Sequence, residues 1–240
     1  MIKQIIFSCL LLFTTQAFAI ADPTPYLMED SHPLKSVLDT IFKNNTAIQS
    51  DAALEKAEFT IVSPRSEGMR VVSHPELKGY LLKLFPFKEQ KDDSRTIAWA
   101  VERSKNARLL RQHVTNNNMK HFLVPLKWIY FLPNYQELQD QGYNNYAVLV
   151  VEDMKITSTH DSRAAWRNVD SKETIAELFS ILTFGYSSSN LPSNIPYSKS
   201  YKKFTCIDTE KPHKKARYES AKRHFSERMA DYWDKLRETL

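Results

Sequence analysis

The sequence predicts an α+β protein, and three observations carry that reading. Short runs rich in β-branched and aromatic residues cluster between Phe59 and Val151, broken by turn residues. Longer segments with apolar side chains at helical spacing lie before, between and after them. The composition, 42% hydrophobic and 25% charged over 240 residues, suits a globular chain with its own core and excludes a fibre or a disordered chain.

The first 21 residues stand apart. Lys3, an apolar run from Ile5 to Phe13, and the small-x-small sites Ala17-Phe18-Ala19 and Ala19-Ile20-Ala21 before Asp22-Pro23 read as a secretory signal peptide, too short in its apolar part to span a bilayer. Its loss lowers the formal charge from +5 to +4 and removes Cys9, so Cys206 is the single mature cysteine and no intramolecular disulfide can form. The flanks Phe204-Thr205-Cys206-Ile207 make Cys206 a buried structural residue. The expected organisation is then an N-terminal helical extension over 22–56, a sheet and helix over 57–151, and a mainly helical remainder over 152–240.

Within the extension, Leu34, Val37, Leu38, Ile41 and Phe42 form an apolar helix face with Pro33 in the first turn, and Ala52–Ala57 form a second short helix. Phe59–Val62, Met69–Val72 and Tyr80–Phe85 follow as an antiparallel meander, divided at Ser63-Pro64-Arg65-Ser66 and His74–Gly79. Thr96–Asn116 is a long helix with Ile97, Val101, Ala107, Leu110 and Val114 on its apolar side and Arg103, Lys105, Arg108 and Arg111 elsewhere. Lys127–Phe131 and Tyr146–Val151 add two strands across a polar connection. Ser171 caps a helix that runs to Gly185, with Ile175, Leu178, Phe179 and Leu182 as its stripe. A polar loop leads to a hairpin of Ile195–Tyr197 and Phe204–Ile207, and Ala216–Leu240 is read as one C-terminal amphipathic helix.

Several chemistries are absent at the level of motif. Four glycines never fall in a dinucleotide-binding, Walker or nucleophile-elbow pattern, and seven histidines never form H-E-x-x-H. The basic stretch Lys211, Lys214, Lys215, Arg217, Lys222, Arg223 and Arg228 reads as a solvated face, without the interleaved aromatics of a specific nucleic-acid surface.

Three strands, a helix, two strands, then a helix, a polar loop and a hairpin ending in Ile207-Asp208 resemble the protein-kinase fold up to its metal-binding aspartate, over residues 57–210. Short motifs join the order. Lys83 in Gly79-Tyr80-Leu81-Leu82-Lys83 resembles the phosphate-holding strand lysine, Glu102 stands where its ion-pair partner would be, and Glu152-Asp153-Met154 looks like the hinge that meets adenine. Asn194 and Asp208 resemble the two magnesium ligands. The resemblance implies a five-stranded antiparallel N-lobe with one long helix, a reduced helical C-lobe, and a pocket for ATP and Mg2+ on Lys83, Glu102, Glu152, Met154, Asn194 and Asp208.

The departures are as informative. Ser189 replaces the aspartate that orients the substrate hydroxyl, Ser187-Ser188 replace His-Arg, Gly68 alone remains of the glycine-rich loop, and Thr209-Glu210 follow Asp208. The chain therefore resembles a truncated bacterial pseudokinase-type domain behind a signal peptide, with no catalytic residue assigned. Read without the resemblance, Lys83 and Glu102 make a surface ion pair, Asp208 caps a turn, and Ser187–Ser189 form a flexible loop. Three functions are expected to compete: an exported module that engages a protein partner and binds nucleotide, compatible with a monomer and without a transmembrane segment; an atypical phosphotransferase with its base at Asp161 or Asp170; and a scaffold that binds no nucleotide.

Overall fold

The computed structural model describes residues 22–44, 46–64, 68–85, 95–143, 145–186, 190–209 and 217–239. The signal-peptide reading, Ser187–Ser189, and Lys211, Lys214 and Lys215 lie outside the described residues.

Helix α1 (Pro33–Ile41) begins where the sequence asks: Pro33 fills the first position and His32 Nδ1 accepts the Leu34 N–H at 3.2 Å. Helix α2 (Asp51–Lys56) is capped by Ser50 Oγ, which accepts the Ala53 N–H at 3.2 Å. Strands β1 (Thr60–Pro64), β2 (Arg70–Ser73) and β3 (Tyr80–Leu84) form the expected meander, with Lys83 opposite Val71. Helix α3 (Arg95–Asn116) and the short strand β4 (Phe122–Leu123) lead to β5 (Lys127–Phe131). After helix α4 (Tyr135–Asp140), β6 (Ala147–Glu152) inserts between β3 and β5, completing one antiparallel sheet in the order β1-β2-β3-β6-β5.

Strand alternation decides what each face of that sheet carries. Val72, Leu82, Leu84, Tyr130, Val148 and Val150 pack on α1 and α2 through Leu38, Phe42 and Leu54. Ile129, Ala147, Leu149 and Val151 pack on α3 through Ala100 and Val101. Strand β6 is thus buried on both faces, which is why it reads as an unbroken apolar run. Lys83 and Lys127 share the α3 face with Leu149 and Val151, their respective partners in the register.

A second core gathers α5 (Thr159–Arg167), α6 (Lys172–Thr183), the short α7 (Leu191–Asn194), the strands β7 (Tyr197–Ser198) and β8 (Lys203–Thr205), and the helices α8 (Tyr218–Lys222) and α9 (Glu227–Arg237) against the C-terminal half of α3. Strand β8 lies between β7, antiparallel, and β4, parallel. Trp166 anchors this core: it is fully buried, stacks on Phe204 with ring centroids 3.7 Å apart, and donates its indole N–H to Ile195 O at 3.0 Å. Cys206 is buried beside it and free.

The architecture is α+β with the expected five-stranded antiparallel sheet and one long helix, with differences in detail. Helix α4 stands in the connection read as polar. Helix α5 was not expected, because its nine residues bury only Ser162 and Trp166 and leave almost no apolar period to see. The C-terminal helix is broken between Lys222 and Glu227: turn bonds run from His224 N to Ala221 O and from Phe225 N to Lys222 O, and Phe225 turns into the second core. Among the described residues no helix is long and apolar enough to cross a membrane.

Candidate functional site

The α3 face of the sheet carries two lysines, Lys83 on β3 and Lys127 on β5, on either side of β6, and α3 presents Arg103 to the same space. Arg103 shares a helix stripe with Ala107, Leu110 and Val114, so packing that stripe buries its guanidinium to 8% exposure. Beyond β8 the chain runs Cys206-Ile207-Asp208-Thr209 under α3. Arg103 Nη1 forms an ion pair with Asp208 Oδ1 and lies over the Trp99 ring at 4.5 Å.

Thr209 fixes this approach. Its hydroxyl donates to Arg103 O at 2.7 Å, and its carbonyl accepts from Asn106 Nδ2 at 3.0 Å. Lys127 Nζ donates to Thr209 Oγ1 at 2.7 Å and to Ile207 O at 3.0 Å. On the opposite side, Ile207 N–H donates to Asn194 O at 3.1 Å, and the buried Tyr186 hydroxyl donates to the same carbonyl at 3.2 Å.

The electrostatics follow from three cations around one carboxylate. Burial pushes the Asp208 carboxyl up, but Arg103, Lys83 and Lys127 outweigh it and hold the group below its ordinary range. Burial, followed by Lys83 and Arg103, holds the Lys127 ammonium well below its ordinary range. Lys127 is 7% exposed.

Of the residues expected to form the site, Lys83 and Asp208 come within each other's field, and Asn194 lies beside the Ile207-Asp208 backbone. Glu102 is half-buried on α3, next in sequence to Arg103, yet Arg103 is the residue turned to Asp208. Glu152 closes the sheet: its N–H donates to Leu126 O at 3.0 Å and its Oε2 accepts the Leu126 N–H at 3.2 Å. Asp153 N–H donates to Gly79 O at 2.8 Å, and Met154 follows, 5% exposed. Asp161, exposed at the start of α5, faces Lys199 at 3.7 Å, and Asp170 is exposed beyond the same helix.

The donor set does not fit magnesium. A divalent cation needs hard oxygen ligands carrying negative charge. Here the Asp208 carboxylate is engaged by a guanidinium, with two lysines acting on it. No cluster of three or more His, Cys, Asp or Glu side chains suited to a metal occurs among the described residues. What the arrangement offers is positive charge, suited to an oxyanion.

Arg103, Asn106, Lys127 and Thr209 are the site residues that the sequence reading passed over. Arg103 was placed off the apolar side of its helix, although its spacing to Ala107 and Leu110, at i+4 and i+7, puts it on that side. Lys127 stood at the mouth of a strand, where a lysine is ordinarily solvated. No local signal marked Thr209.

No family model matches the chain, and no curated protein matches it. A solved structure of the MAP kinase LmaMPK10 from Leishmania major is similar over 73% of this chain and 52% of that one, with 15% identity and a TM-score of 0.32. The chain spans about half the length of that kinase. Nothing about activity follows from the likeness.

Proposed function

We propose that this chain is an exported kinase-like binding module that engages a protein partner, performs little or no phosphoryl transfer, and takes up nucleotide phosphates at Lys83 and Lys127 without magnesium. The ion pair of Arg103 with Asp208 carries the reading. Phosphoryl transfer relies on metal ions to bridge the phosphates and neutralise developing charge. With Asp208 held by Arg103, a nucleotide would meet the positive field of Lys83 and Lys127 in place of a metal. Ser189, where kinases place the hydroxyl-orienting carboxylate, supports the same conclusion, since loss of general-base help removes a factor of about 100 to 10,000 in rate.

The test is a melting-temperature titration of the exported protein with ATP, run once with Mg2+ and once with EDTA. A rise of similar size in both, lost in Lys83→Ala, is expected. A rise that appears only with Mg2+ and is lost in Asp208→Ala would restore a metal-dependent pocket. No rise at millimolar ATP leaves a scaffold without nucleotide, and robust phosphorylation of a protein substrate would overturn the non-enzyme reading.

A further inference from the structure

The N-terminal segment, α3 and the start of β5, Lys127 included, line a pocket of about 470 Å³. Ser104, Arg108 and Arg111 line one wall, at i, i+4 and i+7 of α3. Tyr26, His32 and Trp128 line the other.

The charges of this pocket are unbalanced. Arg111 is half-buried and donates from Nη1 to Pro125 O at 3.0 Å, while Arg108 donates to Tyr26 Oη at 3.4 Å and lies over the Tyr26 ring at 4.8 Å. Among the described residues neither guanidinium has a carboxylate within ion-pair distance. Each acts on the other as a like charge, and burial and Arg108 together hold Arg111 below its ordinary range, with Glu152 opposing from outside the pocket. The carboxylate in the wall, Glu29, instead accepts from Ser31 Oγ at 3.2 Å. Ser104 adds an independent observation: it is 2% exposed and its hydroxyl has no hydrogen-bond partner.

A ring with a fixed donor completes the set. Because His32 Nδ1 accepts the Leu34 N–H, the neutral imidazole carries its proton on Nε2. The ring packs edge-on against Trp128, with centroids 4.9 Å apart. Donors on one wall and rings on the other, in a volume typical of small-ligand sites, define a compact ligand with an acidic head and an apolar body.

We propose that this pocket binds a small organic anion, its carboxylate or phosphate oxygens held by Arg108 and Arg111 and its body lying against Trp128. Arginine suits either head, because its planar fork pairs bidentately with both. Lys127 lines this pocket as well as the Arg103–Asp208 cluster, but its Nζ is engaged by Ile207 O and Thr209 Oγ1, so the head group is assigned to Arg108 and Arg111.

Isothermal titration of the exported protein with phenylphosphate and with benzoate tests this. Saturable binding of either probe is expected, weakened at least about tenfold in Arg108→Gln and in Arg111→Gln, the loss of one charge-assisted pair. Binding should weaken further as salt is raised and stay unchanged in Lys105→Gln. Arg111→Lys, which keeps the charge and loses the fork, should fall between wild type and Arg111→Gln. The tighter probe identifies the head group. No binding of either probe at about 10 mM, equal binding by the Arg108→Gln/Arg111→Gln protein, or loss of binding in Lys83→Ala alone would overturn the proposal.

Discussion

Removing Arg103 and Asp208 singly and together measures how far the fold depends on their charge match. Breaking a buried ion pair from one side costs about 3–5 kcal/mol, because the partner is left as an uncompensated charge, whereas replacing both partners by apolar groups is often close to neutral. Asp208 keeps 32% of its side-chain surface and two lysines act on it, so Arg103→Leu should cost the lower amount, about 2–3 kcal/mol, including the lost contact with the Trp99 ring. Asp208→Leu removes the carboxylate on which Arg103, Lys83 and Lys127 act together and should cost more, about 3–4 kcal/mol. The double variant strands no lone partner of the pair and should lose less than about 3 kcal/mol, a coupling of at least about 2–4 kcal/mol. Urea midpoints at pH 7 with unchanged slopes give these values, and melting temperatures should fall about 2–4 °C per kcal/mol. If the double variant loses as much as the two single losses together, the pair is not coupled and the explanation of the site by charge fails.

Two further outcomes are expected. Because Lys127 is held well below its ordinary range in the fold, the unfolded chain binds the extra proton and stability should climb with pH from that depressed value toward about 10.4; Lys127→Met should flatten the climb, and an unchanged slope in urea titrations at several pH values would count against a buried amine. Mass spectrometry of exported material should give an N-terminus at Ile20 or Asp22, with one thiol titratable only after denaturation, whereas retention of Lys3 would refute the signal-peptide reading.

What the sequence made legible was governed by burial on one side. Helices α1 and α6 and strand β3 each hide one face, and their periods are visible in the residues. Strands β2 and β5 instead bury adjacent residues, such as Ile129 and Tyr130, and are legible from their β-branched and aromatic content. Helix α3 lies between the sheet and the second core and buries Ala100, Val101, Arg103, Ser104, Asn106 and Ala107, so its polar and apolar residues mix on the inward side and a single stripe describes it poorly. Helix α5 failed for the opposite reason, having one large buried anchor, Trp166, with only Ser162 and Ala165 beside it at the core. Lys83 and Asp208 were found because short motifs and chain order marked them. Arg103 and Lys127 were missed because their burial is a tertiary fact: it arises when Ile207, Asp208 and Thr209 pass beneath α3 and supply a carbonyl, a carboxylate and a hydroxyl that neither local segment contains.

The difference between Glu102 and Arg103 shows how little sequence separates two kinds of site. Neighbouring residues on a helix point about 100° apart, so only one of them can face the Asp208 backbone at a given rotation of α3. With Arg103 turned inward, Asp208 becomes the counter-charge of a guanidinium and Lys127 is buried as a second cation satisfied by neutral oxygens. A metal would enter this site against three positive side chains; a phosphate would enter with them. The stripe that fixes the rotation, Ala107, Leu110 and Val114, is packed into the second core, so the choice between cation and anion at Asp208 is made by apolar residues that touch neither.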